Sequence, residues 1–134
     1  MTYILDTNIC IAIIKRQPAA VCERLRKHSP EEIRISVISV AELQYGADKS
    51  QAVEKNHGAL SKFLAPFTLV NFDHNCVKAY GKIRAALARA GTPIGPLDTL
   101  IAAQAVTHGF VLITNNVQEF ARIPEITLEN WLCE

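Results

Sequence analysis

The stretch I-R-I-S-V-I-S-V-A-E, residues 33–42, changes its period half-way along. Ile33 to Val37 is alternating and β-branched, which predicts a strand. Ser39 then reads as the cap of a helix that carries Glu42 in its first turn, placing a carboxylate near a strand's carboxyl end.

The same unit recurs on both sides. Tyr3 to Leu5 is a short apolar run closed by Asp6-Thr7-Asn8, three good capping types, so a buried strand should feed a helix over about Ile9 to Lys15. Pro18 restarts a helical pattern through Val21 and Leu25 that ends before Ser29-Pro30, giving a helical hairpin. Downstream, a helix is expected from about Ser50 to Leu64, a third strand from Thr68 to Phe72, and a helix capped by Asp73 running to Arg89. Gly91-Thr92-Pro93-Ile94-Gly95-Pro96 is the densest turn signal, and it delivers the chain into a helix from Leu97 to about His108. Phe110 to Ile113 predicts a fourth strand leading to Thr114-Asn115-Asn116, and Ile126 to Leu128 a short fifth. Strands alternating with helices imply an α/β fold with a central, mostly parallel sheet of four to five strands covered on both faces.

The chain has 134 residues, 49% apolar and 20% charged, a composition suited to one globular domain over residues 1–134 with its own core. The net charge of +1 lacks the basic excess of proteins that hold nucleic acid by charge alone, so any such surface must be local. Cys10, Cys22, Cys76 and Cys133 are widely spaced with no C-x-x-C pair, which argues against both a zinc site and a thioredoxin-type redox centre and fits reduced thiols. No apolar run approaches the roughly 18 residues a membrane span needs, and Asp6 interrupts the first one, so no membrane association and a cytoplasmic location are expected.

Three carboxylates sit in otherwise apolar surroundings: Asp6 in Y-I-L-D-T-N, Glu42 in S-V-I-S-V-A-E-L and Asp98 in P-I-G-P-L-D-T-L-I-A-A. Each has an ordinary reading, Asp6 as a helix cap, Glu42 as the capping-box partner of Ser39, and Asp98 as a charge favoured by a helix dipole. No Lys or Arg lies within these segments, and unpaired carboxylates are costly to bury. If the fold brings the three together their repulsion raises their pKa values unless a cation holds them ionised. Mg²⁺ meets that need with oxygen ligands, and Mn²⁺ suits the same donors. Such a site activates water and stabilises a leaving oxygen, which points to hydrolysis of a phosphodiester.

I-L-D-T-N, I-S-V-I-S-V-A-E-L-Q-Y-G, G-T-P-I-G-P-L-D-T-L-I-A-A and L-I-T-N-N-V-Q-E-F together resemble the PIN domain, specifically the VapC ribonuclease toxins of bacterial toxin–antitoxin pairs. The four motifs come in the family's order and cover essentially the whole chain. The resemblance implies a PIN-like α/β/α sandwich, with Asp6, Glu42 and Asp98 as metal-binding and catalytic residues of a Mg²⁺-dependent endoribonuclease. It implies that Thr114 orients water or a carboxylate, with Asn115 beside it. Many PIN domains carry a fourth acid where this chain has Asn116, and Glu119 is the candidate substitute. The resemblance further implies a homodimer that cuts structured RNA, often tRNA, and here looks closest to those cutting initiator tRNA in the anticodon stem-loop. It also implies a VapB-type antitoxin covering the site, with operator DNA bound only through that complex.

Lys15, Arg16, Lys82 and Arg84 are candidates for a phosphate-contacting rim, with Arg24, Arg26, Lys27 and Arg89 as further basic residues whose ordinary reading is a solvated helix face. The four histidines show no local ligand spacing and read as surface or loop residues. Trp131 and Phe120 read as core or interface anchors, whereas Tyr45 and Tyr80 are open to stacking on splayed bases or to burial. The competing function is a PIN-like RNA-binding or regulatory module with a weakened metal site, motivated by Asn116. A phosphatase of the haloacid dehalogenase type would need an Asp where Asn8 stands.

Overall fold

The computed structural model describes residues 1–132, so Cys133 lies outside the described residues. In chain order the elements are β1 (Tyr3–Leu5), α1 (Thr7–Lys15), α2 (Ala19–Arg26), a 3-10 turn (Pro30–Glu32), β2 (Ile33–Ser36), α3 (Val37–Asp48), α4 (Val53–Leu64) and β3 (Thr68–Val70). They continue with α5 (His74–Arg89), α6 (Pro96–His108), β4 (Val111–Ile113), α7 (Val117–Phe120) and β5 (Thr127–Glu129).

The strands form one five-stranded sheet in the order β3-β2-β1-β4-β5, every neighbouring pair parallel. Tyr3 aligns with Ile33 on one side and with Val111 on the other. Alternate residues of the central strands enter opposite layers, as the two-residue period of a strand requires. Tyr3, Leu5, Ile33, Ile35, Val111 and Ile113 pack with Ile9, Cys10 and Val21 of α1 and α2 on one face. Ile4 and Leu112 pack with Ile83, Leu87, Ile101 and Phe120 on the other. With both faces covered the strands read as short apolar runs, which made them visible in the sequence.

Several expected boundaries move. The helix after β2 begins at Val37 and is capped by Ser36, whose side chain accepts from the Ile38 amide. Ser39 is therefore fully buried inside α3, and Glu42 lies in its second turn. The Ser36 side chain competes successfully because the strand ends there, with the serine in extended backbone at φ −69°, ψ 141°. The capping box falls instead at Ser29 and Glu32, ahead of the 3-10 turn. Helix α4 starts at Val53, three residues later than expected, β3 stops at Val70, and β5 is Thr127–Glu129. The short helix α7 had no counterpart in the sequence pattern. Asp73 caps α5 as expected, accepting from the Cys76 amide at 3.0 Å.

Phe120 and Trp131 are both fully buried, as their apolar contexts suggested. His28 lies in the bend after α2, as expected, and its imidazole stacks on Trp131 at 5.1 Å between centroids in an aromatic cluster with Tyr3. Cys10, Cys22 and Cys76 are free thiols. Among the described residues no helix is long and apolar enough to cross a membrane.

One buried polar link fastens α6 to the sheet. Gln104, with no exposed surface, accepts from the Ser36 hydroxyl and donates to the Val70 and Asn71 carbonyls at 3.1 and 3.3 Å. Gln104→Leu keeps the volume and strands these partners, so stability should fall by about 2 kcal/mol. The urea midpoint of unfolding should drop at an unchanged slope.

Candidate active site

In an open parallel sheet, the crevice opens where successive connections leave in opposite directions. Here that point lies between β1 and β4, which are neighbours in space although far apart in sequence. The Asp6 amide donates to the Ile113 carbonyl at 2.9 Å, so the residues leaving both strands are held side by side.

Asp6 is buried, 3% exposed, and caps α1. One carboxylate oxygen accepts from the Thr7 amide at 2.8 Å, and the other from the Thr114 hydroxyl at 2.8 Å. The cap reading of Asp6 holds, and the oxygen that does not cap the helix is held by Thr114. Thr114 is itself fully buried and its oxygen accepts from the Asn116 amide at 3.0 Å, which fixes the hydroxyl toward Asp6.

Glu42 reaches the site from α3. The Thr7 hydroxyl lies 2.7 Å from Glu42 Oε1 and 2.9 Å from Ser39 Oγ. Having one proton, it gives this to the carboxylate and accepts from Ser39. Thr7 and Ser39 are thus site residues that the sequence reading used only as caps. Their one legible signal was adjacency, Thr7 to Asp6 and Ser39 to Glu42.

Asp98 enters in the first turn of α6, after Pro96 at the helix start. Its carboxylate curls back toward Gly95, where a Cβ would stand 3.5 Å from Oδ2. Burial raises its pKa to about 6, and the charges of Asp6, Glu119 and Glu42 push in the same direction. Burial likewise raises Asp6, against the lowering effect of its Thr114 and Thr7 hydrogen bonds, and Glu42 adds to the rise. Glu119, in the first turn of α7, is thus near enough for its charge to act on Asp98. Asn116 caps that helix with no side-chain hydrogen bond to it, and Asn115 is exposed.

The described ion pairs join Arg24 to Glu129, His28 to Glu32 and His57 to Asp48, and none reaches these four acids. Asp6 and Asp98, both raised by burial and by neighbouring carboxylates, offer only oxygen donors together with Glu42 and Glu119, a set that fits a hard divalent cation.

Residues 3–126 match the PIN domain. The chain belongs to the PIN-domain family. Within it, the chain is 42% identical over 131 residues to the tRNA(fMet)-specific endonuclease VapC of Salmonella typhimurium, covering 98% of both chains. It is 42% identical over 132 residues to ribonuclease VapC2 of Rickettsia felis, again with 98% of each covered. Among solved structures, DNA-bound VapBC from Salmonella typhimurium superposes with a TM-score of 0.92 at 42% identity, over 98% of each chain. This PIN domain is accordingly a nuclease of the VapC type, and PIN nucleases are metal-dependent.

The PIN domain's basic candidates are dispersed. Lys15 lines a cleft of about 480 Å³ between α1, α3 and α4 together with Thr7, Asn8, Glu42, Tyr45 and Lys49. Tyr45 is 64% exposed there, with the Lys49 ammonium 4.9 Å from its ring. Arg16 lines a different groove, beside Arg26 and Lys62, and does not share the cleft with Glu42. Arg84 lines a small cavity against Pro93, Ile94 and Pro96, ahead of Asp98, and donates to the Tyr80 hydroxyl at 2.5 Å. Lys82 is exposed on the same helix. Lys49, which the sequence reading left aside, is the basic residue that joins Lys15 in the cleft.

Proposed function

We propose that this PIN domain, acting as a single unit over residues 1–134, is a cytoplasmic endoribonuclease toxin that cleaves initiator tRNA in its anticodon stem-loop with Mg²⁺. The observation that carries the reading is the meeting of Asp6, Glu42, Asp98 and Glu119 with no described cation partner. The 42% identity to a tRNA(fMet)-specific endonuclease supports the substrate.

Asp6, Glu42 and Asp98 would hold the ion, with Mn²⁺ able to replace it. When bound, the ion supplies Lewis acidity, offsetting charge that develops on the phosphodiester and making water a competent nucleophile near neutral pH. Thr114 and Thr7 orient the Asp6 and Glu42 carboxylates before RNA arrives, so no reorganisation is needed at the moment of reaction. Glu119 adds charge without taking up the hydrogen bonds that fix Asp6. Lys15 and Lys49 offer phosphate contacts beside Glu42, and Tyr45 a face on which an unstacked base can rest.

A VapB-type antitoxin would silence the nuclease by laying a basic residue into the acidic site. Solved complexes of similar proteins, from Salmonella typhimurium and Rickettsia felis, are VapBC assemblies with DNA. They support association with an antitoxin and with DNA; the toxin itself would be a homodimer that meets operator DNA only through its antitoxin.

The test is incubation of purified, antitoxin-free protein with initiator tRNA and with an elongator tRNA, in Mg²⁺ or EDTA. Two discrete fragments from initiator tRNA alone, in Mg²⁺ alone, are expected. Intact initiator tRNA, or the same fragments in EDTA, would overturn the proposal.

A further inference from the structure

Helices α5 and α6 pack antiparallel, so the first turn of α5 meets the last turn of α6. Three donors of different chemistry converge there: the Asp73 carboxylate, the Cys76 thiol and the His108 imidazole, all within 4.8 Å of one another. We propose that Asp73, Cys76 and His108 form a second metal site, selective for a thiophilic transition ion such as Zn²⁺ and separate from the carboxylate cluster.

The geometry is close to what zinc requires. A tetrahedral ion with Zn–S of about 2.3 Å and Zn–N of about 2.05 Å holds the two donor atoms about 3.6 Å apart. Cys76 Sγ and His108 Nε2 are 3.9 Å apart, so a shift of a few tenths of an ångström completes the pair. The ligands are also held in place. Asp73 Oδ1 accepts from the Cys76 amide as the α5 cap, which ties the carboxylate to the turn that carries the thiol. The His108 ring stacks on Phe110 at 5.0 Å and 20°, which limits its rotation.

A further observation points to a ligand. The Thr107 hydroxyl is buried beside the Cys76 sulfur, the one group it is placed to hydrogen-bond. A zinc-bound thiolate is a stronger acceptor for that hydroxyl than a neutral thiol, the outer-shell support such ligands generally have. Sulfur, nitrogen and oxygen donors favour zinc over Mg²⁺. Three protein ligands leave a fourth position for water, and the exposure of Asp73 and His108 gives the ion a path in.

The site is remote from the nuclease centre. His108 follows Asp98 by ten residues of α6, about 15 Å of helix rise. No local spacing announces it, because Cys76 and His108 stand 32 residues apart. Bound metal would pin the start of α5 to the end of the helix that carries Asp98.

Co²⁺ is the probe, because a cobalt–thiolate charge-transfer band reports sulfur ligation that an all-oxygen site cannot produce. The full chain, reduced and free of antitoxin, is titrated with Co²⁺ and then with competing Zn²⁺. One equivalent should give the band together with intense tetrahedral visible absorption, and Zn²⁺ should abolish both. The spectrum should persist in Asp98→Asn and vanish in Cys76→Ser and His108→Ala. Asp73→Asn, which keeps a helix cap, should bind at least about tenfold more weakly. Circular dichroism checks that each variant is folded, and His108→Ala and Asp73→Asn alter exposed side chains, so the test survives if Cys76→Ser does not fold. No charge-transfer band in the wild type, or an unchanged band in His108→Ala, would overturn the proposal.

Discussion

Asp6→Ala should lower Mg²⁺-dependent RNA cleavage by about a thousandfold or more while leaving the protein folded. The magnitude follows from what a lost metal costs: several kcal/mol of transition-state stabilisation, at about 1.4 kcal/mol per factor of ten. Asp6 is the acid both of whose oxygens are fixed, by the Thr7 amide and the Thr114 hydroxyl. Its neighbours therefore cannot swing in to replace it. The effect on folding should be small, because two changes oppose one another. Thr114 loses a buried acceptor, while the fold is relieved of a carboxylate whose pKa burial has raised. Initial rates on initiator tRNA, with RNA affinity measured in parallel, check this. Cleavage within tenfold of wild type would remove Asp6 from the metal site. Unchanged affinity and unchanged toxicity in cells would favour the RNA-binding module instead.

Asp98→Asn should silence the nuclease and, at neutral pH, make the metal-free protein more stable than wild type. The Asp98 carboxyl is raised from 3.8 to about 6, so between those values the folded chain keeps a proton that the unfolded chain has lost. The fold then binds more protons, and stability falls as pH rises through this window, levelling above about pH 6. Asp6 is raised as well and adds a slope of the same sign. Asp48 and Asp73 are shifted the other way by hydrogen bonds, to His57 and to the Cys76 amide respectively. Their contribution is present above their ordinary value of 3.8 and is lost only at lower pH, so it does not mask the window. Metal-free wild type should thus melt higher at pH 5 than at pH 7, and Mg²⁺ should restore more at pH 7, where the carboxylates are ionised. In Asp98→Asn most of the pH slope and most of the Mg²⁺ response should disappear. A wild type that melts higher at pH 7 than at pH 5 without metal would sink this account. The same substitution would thus separate function from stability, as expected where like charges are held together for a ligand.

The acids were legible because of their company. A carboxylate beside Ile4 and Leu5, or two residues before Leu100 and Ile101, interrupts a pattern that otherwise describes a buried surface. Glu42 was legible as an acid near a strand end, but its turn of helix was misjudged, since Ser36 and Ser39 are equally good caps on paper. The choice was made by where β2 runs out of partners on β1 and β3. Thr7 had been read as a cap residue. Only the packing of α3 against α1 turned it into the link between Asp6 and Glu42.

By itself the sequence determined the alternation of strands and helices, the apolar strands that two covered faces demand, and the three acids placed where burial is costly. Those are local properties, set by side-chain period, capping chemistry and desolvation, and they are carried by neighbours along the chain. Tertiary structure alone decided that β4 returns to lie beside β1, opening the crevice there. It also decided that the charge of Glu119 bears on Asp98, and that Cys76 meets His108 across two helices. Each depends on contacts between residues distant in sequence, whose energies arise only once the sheet order and helix packing are fixed.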